Sequence, residues 1–153
     1  MTASFQMRVT SSPESLVEIS RLILEAARGS DLDEREAFHL MMAADEACTN
    51  IIKYGRSGFI EIKCEVVDGK VEVEIRDDGA PFDPLKAPLP DTKAPLHRRE
   101  VGGLGIYFIR SLTDDLRYER RGGKNVLTMA VSHDEDRGSE GRLKRSSNLD
   151  RQP

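Results

Sequence analysis

Glu46 and Asn50 stand one helical turn apart in the stretch AADEACTNIIKYG, among residues that are mostly apolar or small. A carboxylate and an amide at i, i+4 share one stripe of a helix. Burying such a carboxylate without a partner is costly, so the stripe calls for a compensating group. An amide oxygen suits Mg²⁺, a hard ion that takes oxygen ligands. A carboxylate one turn away is placed to accept a proton from an attacking hydroxyl. Two further segments carry related chemistry. IRDDGAPFDP puts Asp77 at the end of a strand, followed by Asp78 and Gly79. EVGGLGIYFIR opens a helix with three glycines, where backbone can approach a ligand closely and free N–H groups face an anion. Alone, each has an ordinary explanation: a water-linked polar pair, a strand-end turn, a glycine turn. Together they suit a nucleotide site with glycines at the phosphates. No GxxxxGKS or GxxxxGKT occurs, which excludes a P-loop.

The elements that must position these residues follow from periodicity. Phe5–Val9 alternates and opens the chain as a strand. Pro13 precedes a first helix carrying Leu16, Ile19, Ile23, Leu24 and Ala27, which runs to about Arg28 and ends at Gly29. Ser30 is the expected N-cap of the second helix, with Asp33 three residues on. Leu40, Ala44, Ala47 and Ile51 make one apolar row, and Phe38, Met41, Cys48 and Ile52 another. Met42, Glu46 and Asn50 run between them, and Gly55 and Gly58 close the helix. Phe59–Val67 and Val71–Asp77 alternate around the turn Asp68-Gly69. Such a sheet has one wet and one buried face, which the helices cover. Residues 79–103 lose all period, as a functional or disordered loop does. A helix then runs from Leu104 to about Leu112, with Leu104, Tyr107, Phe108 and Leu112 available for packing. Leu116–Arg121 and Asn125–Ser132 read as a final hairpin around Gly122-Gly123, and the polar tail from His133 as disordered.

Composition bounds the rest. A chain of 153 residues suggests one domain, and a net charge of -4 with no dominant basic face argues against direct nucleic-acid binding. No apolar run reaches the length of a membrane span, and the N-terminal residues lack a secretory apolar region, so a cytoplasmic protein is expected. Cys48 and Cys64 read as reduced core thiols. His39, His97 and His133 are scattered and form no catalytic constellation.

ADEACTNIIKYG resembles the N box of the GHKL ATPase/kinase superfamily, IRDDGAPFDP its G1 box and GGLGIYFIR its G2 box, in the family's order and spacing. The short length and the wording of the boxes are most similar to the bacterial anti-sigma-factor serine kinases, over about residues 5–132. The resemblance implies an α+β two-layer sandwich of Bergerat type. Its mixed, mostly antiparallel sheet would be covered on one face by about three helices. It implies one ATP-binding kinase domain over residues 1–132, with an ATP lid at about 81–102, and a tail over 133–153. Glu46 matches the general base and Asn50 the Mg²⁺ ligand. Asp77 matches the acceptor for the adenine amino group, and Gly79 lets the base approach. Gly103, Leu104 and Gly105 fall in the phosphate-binding turn, and Asn125 stands where many relatives carry a threonine near the adenine.

The implied activity is ATP- and Mg²⁺-dependent phosphorylation of a serine on an anti-anti-sigma (STAS-type) protein, with sequestration of a sigma factor by a homodimer. Val101 stands where close relatives often carry a basic residue, and Pro81 where the G1 pattern often has glycine. Arg98 or Arg99 would have to supply the missing charge from the lid. Two rivals follow: an ATP/ADP-binding regulatory module with negligible phosphotransfer, and a detached catalytic domain of histidine-kinase type. The second rival ranks lower, because no dimerising helical segment with a phosphoacceptor histidine precedes the opening strand.

Overall fold

The computed structural model describes residues 2–86 and 101–134, with backbone alone for residues 86 and 101–105. The elements are β1 (Ala3–Thr10), α1 (Ser15–Arg28), α2 (Glu34–Tyr54), β2 (Phe59–Val67), β3 (Lys70–Asp77), a short 3₁₀ turn (Pro84–Lys86), α3 (Val101–Leu112), β4 (Asp115–Arg121) and β5 (Lys124–Ser132). The five strands form one sheet in the order β1-β2-β3-β5-β4. All four pairings are antiparallel, so the sheet is antiparallel throughout where a mixed one was allowed for. The result is an α+β two-layer fold.

Alternation sets the strands. Ile60, Ile62, Cys64 and Val66 on β2 and Val71, Val73 and Ile75 on β3 are all buried on the helix-covered face. Gly69 (φ 77°) turns the first hairpin, and Gly122 (φ 60°) and Gly123 (φ 75°) the second, the left-handed backbone that tight hairpin turns require. The opposite face carries cross-strand ion pairs such as Lys124–Glu61 (3.0 Å) and Arg121–Glu74 (2.8 Å). Both cysteines are buried and free, and burial pushes the Cys64 thiol up to about 12.

α1 buries Ile19, Ile23, Ala26 and Ala27, and α2 buries Leu40, Ala43, Ala44, Ala47 and Cys48. The N-cap of α2 is Asp33, not Ser30. Its carboxylate accepts the Glu36 N–H (2.8 Å), while Glu36 accepts the Asp33 N–H (2.9 Å), a full capping box. Ser30 serves the end of α1 instead, donating from Oγ to the Ala27 carbonyl (2.6 Å) and accepting the Leu32 N–H (3.1 Å). Phe38, placed in an apolar row by its spacing, is 51% exposed. α3 begins at Val101, three residues before the expected start, and its core-facing residues are Ile106 and Ile109 rather than Tyr107, which is 52% exposed.

The folded unit extends past Ser132. The ring Nδ1 of His133 lies 2.9 Å from Glu36 Oε1, and the Asp134 N–H donates to Glu36 Oε2 (3.2 Å). These two residues therefore do not belong to a loose tail, and His133 is no isolated surface histidine. Residues 135–153 of the expected tail and residues 87–100 of the expected lid, with His97, Arg98 and Arg99, lie outside the described residues.

Candidate functional site

α2 and the end of β3 build the site. The buried alanines of α2 let it lie close on the sheet, which leaves Met42, Glu46 and Asn50 on a flank, half-buried. Asn50 Nδ2 is a buried polar atom with no hydrogen-bond partner among the described residues. Such atoms are rare in folded proteins and cost about 1–3 kcal/mol each. Glu46 forms no hydrogen bond or ion pair with another described residue. Burial pushes the neighbouring Asp45 carboxyl above the usual range. The Cys48 thiol is pushed up by burial first and then by the charges of Asp45 and Asp77. Asp77 is thus within electrostatic reach of the α2 turn that carries Glu46.

At the end of β3, Asp77 is 4% exposed and Asn125 7%, paired across the β3–β5 ladder. Asp77 Oδ1 accepts the Gly79 N–H (2.9 Å) and the Asn125 Nδ2 amide (3.2 Å). Asn125 Nδ2 also donates to the Ala80 carbonyl (2.8 Å), and Asn125 Oδ1 accepts the Tyr118 hydroxyl (2.5 Å) and the Phe82 N–H (3.2 Å). Arg120 donates from Nη1 to the Gly79 carbonyl (2.8 Å). A Cβ on Gly79 would lie 2.2 Å from the Gly55 carbonyl oxygen, so glycine is required where the strand end touches the end of α2. That contact brings Asp77 to the half of α2 that carries Asn50. Asp78 points elsewhere, and its Oδ1 accepts the N–H groups of Gly58 (2.9 Å) and Phe59 (3.3 Å).

α3 packs against α2. A helix beginning at Val101 leaves the N–H groups of its first turn without intrahelical partners. Gly103 falls in that turn, with Leu104 and Gly105 just above it. Arg110 of α3 donates to the Leu85 carbonyl (2.6 Å), tying the helix to the 3₁₀ turn at Pro84–Lys86. A shallow groove of about 310 Å³ lined by Gln6, Arg8, Glu61, Lys63, Glu74 and Arg76 lies on the other face of the sheet and shares no residue with this network.

Asp77, Gly79 and Asn125 are therefore joined in one network, and Glu46 and Asn50 share the α2 flank beside it. Tyr118 and Arg120 went unremarked in the sequence. Their signal was the alternation of β4, which turns both toward the helix layer. An oxygen-seeking cation would be served by the α2 donor set, which offers the amide oxygen of Asn50 and, one turn away, the carboxylate of Glu46, both on half-buried residues.

Comparison with known proteins gives the family. Residues 9–131 match the model of the histidine kinase-like ATPase domain. The chain is 33% identical over 132 residues to the serine-protein kinase RsbW of Bacillus subtilis, covering 79% of this chain and 81% of that protein. It is 34% identical over 103 residues to the serine/threonine-protein kinase BtrW of Bordetella bronchiseptica, covering 65% of this chain and 72% of that one. Among solved structures, the histidine kinase AdeS of Acinetobacter baumannii aligns with a TM-score of 0.49 at 16% identity, over 86% of this chain and 68% of that one. The chain belongs to the histidine kinase-like ATPase domain family, on its branch of bacterial serine kinases.

Proposed function

We propose that this protein is an ATP-dependent serine kinase and anti-sigma factor of a partner-switching module. It phosphorylates a STAS-type anti-anti-sigma protein and, as a homodimer, holds a sigma factor. The observation that carries the reading is the buried amide nitrogen of Asn50, without a partner among the described residues, on the helix whose Cys48 feels the charge of Asp77. Such a group calls for an explanation, and a ligand that completes it is the one proposed here. In this reading Asp77 accepts the adenine amino group, and the N-terminal end of α3, around Gly103, Leu104 and Gly105, receives the phosphates. Glu46 takes the proton of the serine hydroxyl as its oxygen bonds to the terminal phosphorus and the bond to the bridging oxygen of ADP breaks. Mg²⁺, held through Asn50, neutralises phosphate charge when bound. No helix among the described residues is long and apolar enough to cross a membrane, and the need for ATP in this reading supports work in the cytoplasm.

The test is incubation with labelled ATP, Mg²⁺ and a STAS-type protein encoded beside this chain. Acid-stable label on serine is expected. Glu46→Gln should lose the label and keep nucleotide, whereas Asp77→Ala should lose the nucleotide itself. Label transferred at the wild-type rate by Glu46→Gln would refute the assignment of the base. The second reading, a nucleotide-gated binding module, rests on Val101 at the head of α3, which offers no charge to a terminal phosphate. Nucleotide binding with no label at all would establish it.

A further inference from the structure

Asn125 was expected to hydrogen-bond near the adenine, but its amide has nothing left to give. A primary amide offers two N–H donors and two acceptor lone pairs. Both donors are used, on Asp77 Oδ1 (3.2 Å) and the Ala80 carbonyl (2.8 Å), and both lone pairs are taken, by the Tyr118 hydroxyl (2.5 Å) and the Phe82 N–H (3.2 Å). The orientation of the amide is fixed by partners of one polarity. Ala80 offers only an acceptor and Phe82 only a donor, so Oδ1 must face Phe82 and Tyr118 must donate. Asp77 Oδ1 in turn is held twice, by Asn125 and by the Gly79 N–H (2.9 Å). Asp77 Oδ2 has no partner among the described residues, yet it is not among the sealed-off polar atoms.

We infer that Asn125, held by Tyr118, is a positioning residue that sets base specificity without touching the base. It pins one oxygen of Asp77, so that the other presents a fixed, acceptor-only face to an incoming nucleobase. A carboxylate oxygen held this way accepts an exocyclic amino group and repels a carbonyl oxygen at the same place. The same amide closes residues 79–82 into the turn that leads toward the lid. Without it, Asp77 could swing about its side-chain bonds and accept poorly from any base. The inference rests on the reading of Asp77 as the adenine acceptor.

The test compares dissociation constants of the full-length protein for ATP, inosine triphosphate and purine riboside triphosphate, which lacks the amino group. The wild type is expected to prefer ATP to the purine analogue by about tenfold or more, the worth of a hydrogen bond to a charged group. Tyr118→Phe leaves the fold filled and should shrink that ratio severalfold, through ATP alone, with analogue affinity within about twofold of wild type. Asn125→Ala should bring the ratio near one. Purely structural damage would weaken all three nucleotides together. A wild-type ratio retained in Tyr118→Phe, or in a folded Asn125→Ala, overturns the inference. A wild type that binds ATP and the purine analogue equally would instead remove the adenine role of Asp77, a separate failure that takes the inference with it.

Discussion

The two ends of α2 present carboxylates in opposite conditions. At the N-terminal end Glu36 is 3% exposed and every oxygen is engaged: Oε1 by the Asp33 N–H and the His133 ring, Oε2 by the Asp134 N–H. About 21 Å along the helix, by its rise per residue, Asn50 keeps a buried nitrogen without a partner, and Glu46 beside it has none among the described residues. Burial of a polar group does not separate structure from function here, since the structural acid is the more buried of the two. Completeness of hydrogen bonding does. Ligand atoms of Asp33, Glu36 and His133 lie within 4.8 Å of one another, but they are occupied in capping α2 and fastening the end of β5 to it.

The comparison is tested most severely by Glu36→Ala. That change removes half of the capping box and the acceptor shared by the Asp33 and Asp134 N–H groups and the His133 ring. A loss of about 2–3 kcal/mol in urea denaturation is expected. Affinity of the folded variant for ATP should stay at the wild-type value, because none of these groups faces the site. A variant with wild-type stability and impaired binding would reverse the assignment of the two ends.

Asn50→Ala should do the opposite. The unpaired nitrogen disappears and a better helix former takes its place, so the nucleotide-free protein should gain about 0.5 kcal/mol. Mg²⁺-dependent ATP affinity should fall on the order of tenfold, about 1.4 kcal/mol. Thermal melts with and without Mg²⁺-ATP read both effects at once. A destabilised apo protein with an unchanged Mg²⁺ requirement would mean that the amide is structural.

Much of this was legible beforehand, for physical reasons. Period-two alternation and the turns Asp68-Gly69 and Gly122-Gly123 defined four strands to within a residue or so, because a half-buried sheet imposes that pattern. The spacing of Glu46 and Asn50 was equally plain. What failed depended on packing partners. The run IYFI in α3 offers apolar residues on several faces, and only its seat against α2 selects Ile106 and Ile109. Ser30 and Asp33 are both good caps, and the choice between them turned on whether Ser30 was already closing α1. The bond between Glu36 and His133 spans 97 positions, and the Asp77–Asn125 pair exists because β5 inserts beside β3. No local signal announces either contact.

Asp77 and Asp78 stand at adjacent positions, differ in burial, and give the smallest and sharpest of the predictions. Each engages one oxygen twice: buried Asp77 through the Gly79 N–H and the Asn125 amide, exposed Asp78 through the N–H groups of Gly58 and Phe59, where β2 begins. Desolvation pushes the Asp78 carboxyl up, but the hydrogen bonds from Gly58 and Phe59, helped by the charge of Arg8, outweigh it and hold the group below the usual carboxylate range. A carboxyl depressed by folding binds fewer protons in the folded state than in the unfolded one. Its contribution to stability is therefore present in full above the unfolded value and drains away as pH falls through the folded value. Asp78→Asn should accordingly melt slightly below wild type at neutral pH, and the gap should close as pH falls into and below the carboxylate range, with ATP affinity unaffected at neutral pH. A gap that persists unchanged in acid would trace the stabilisation to shape rather than charge. A loss of ATP affinity would place Asp78 beside Asp77 in the site, and the division between structural and ligand-facing acids would no longer hold at this strand end.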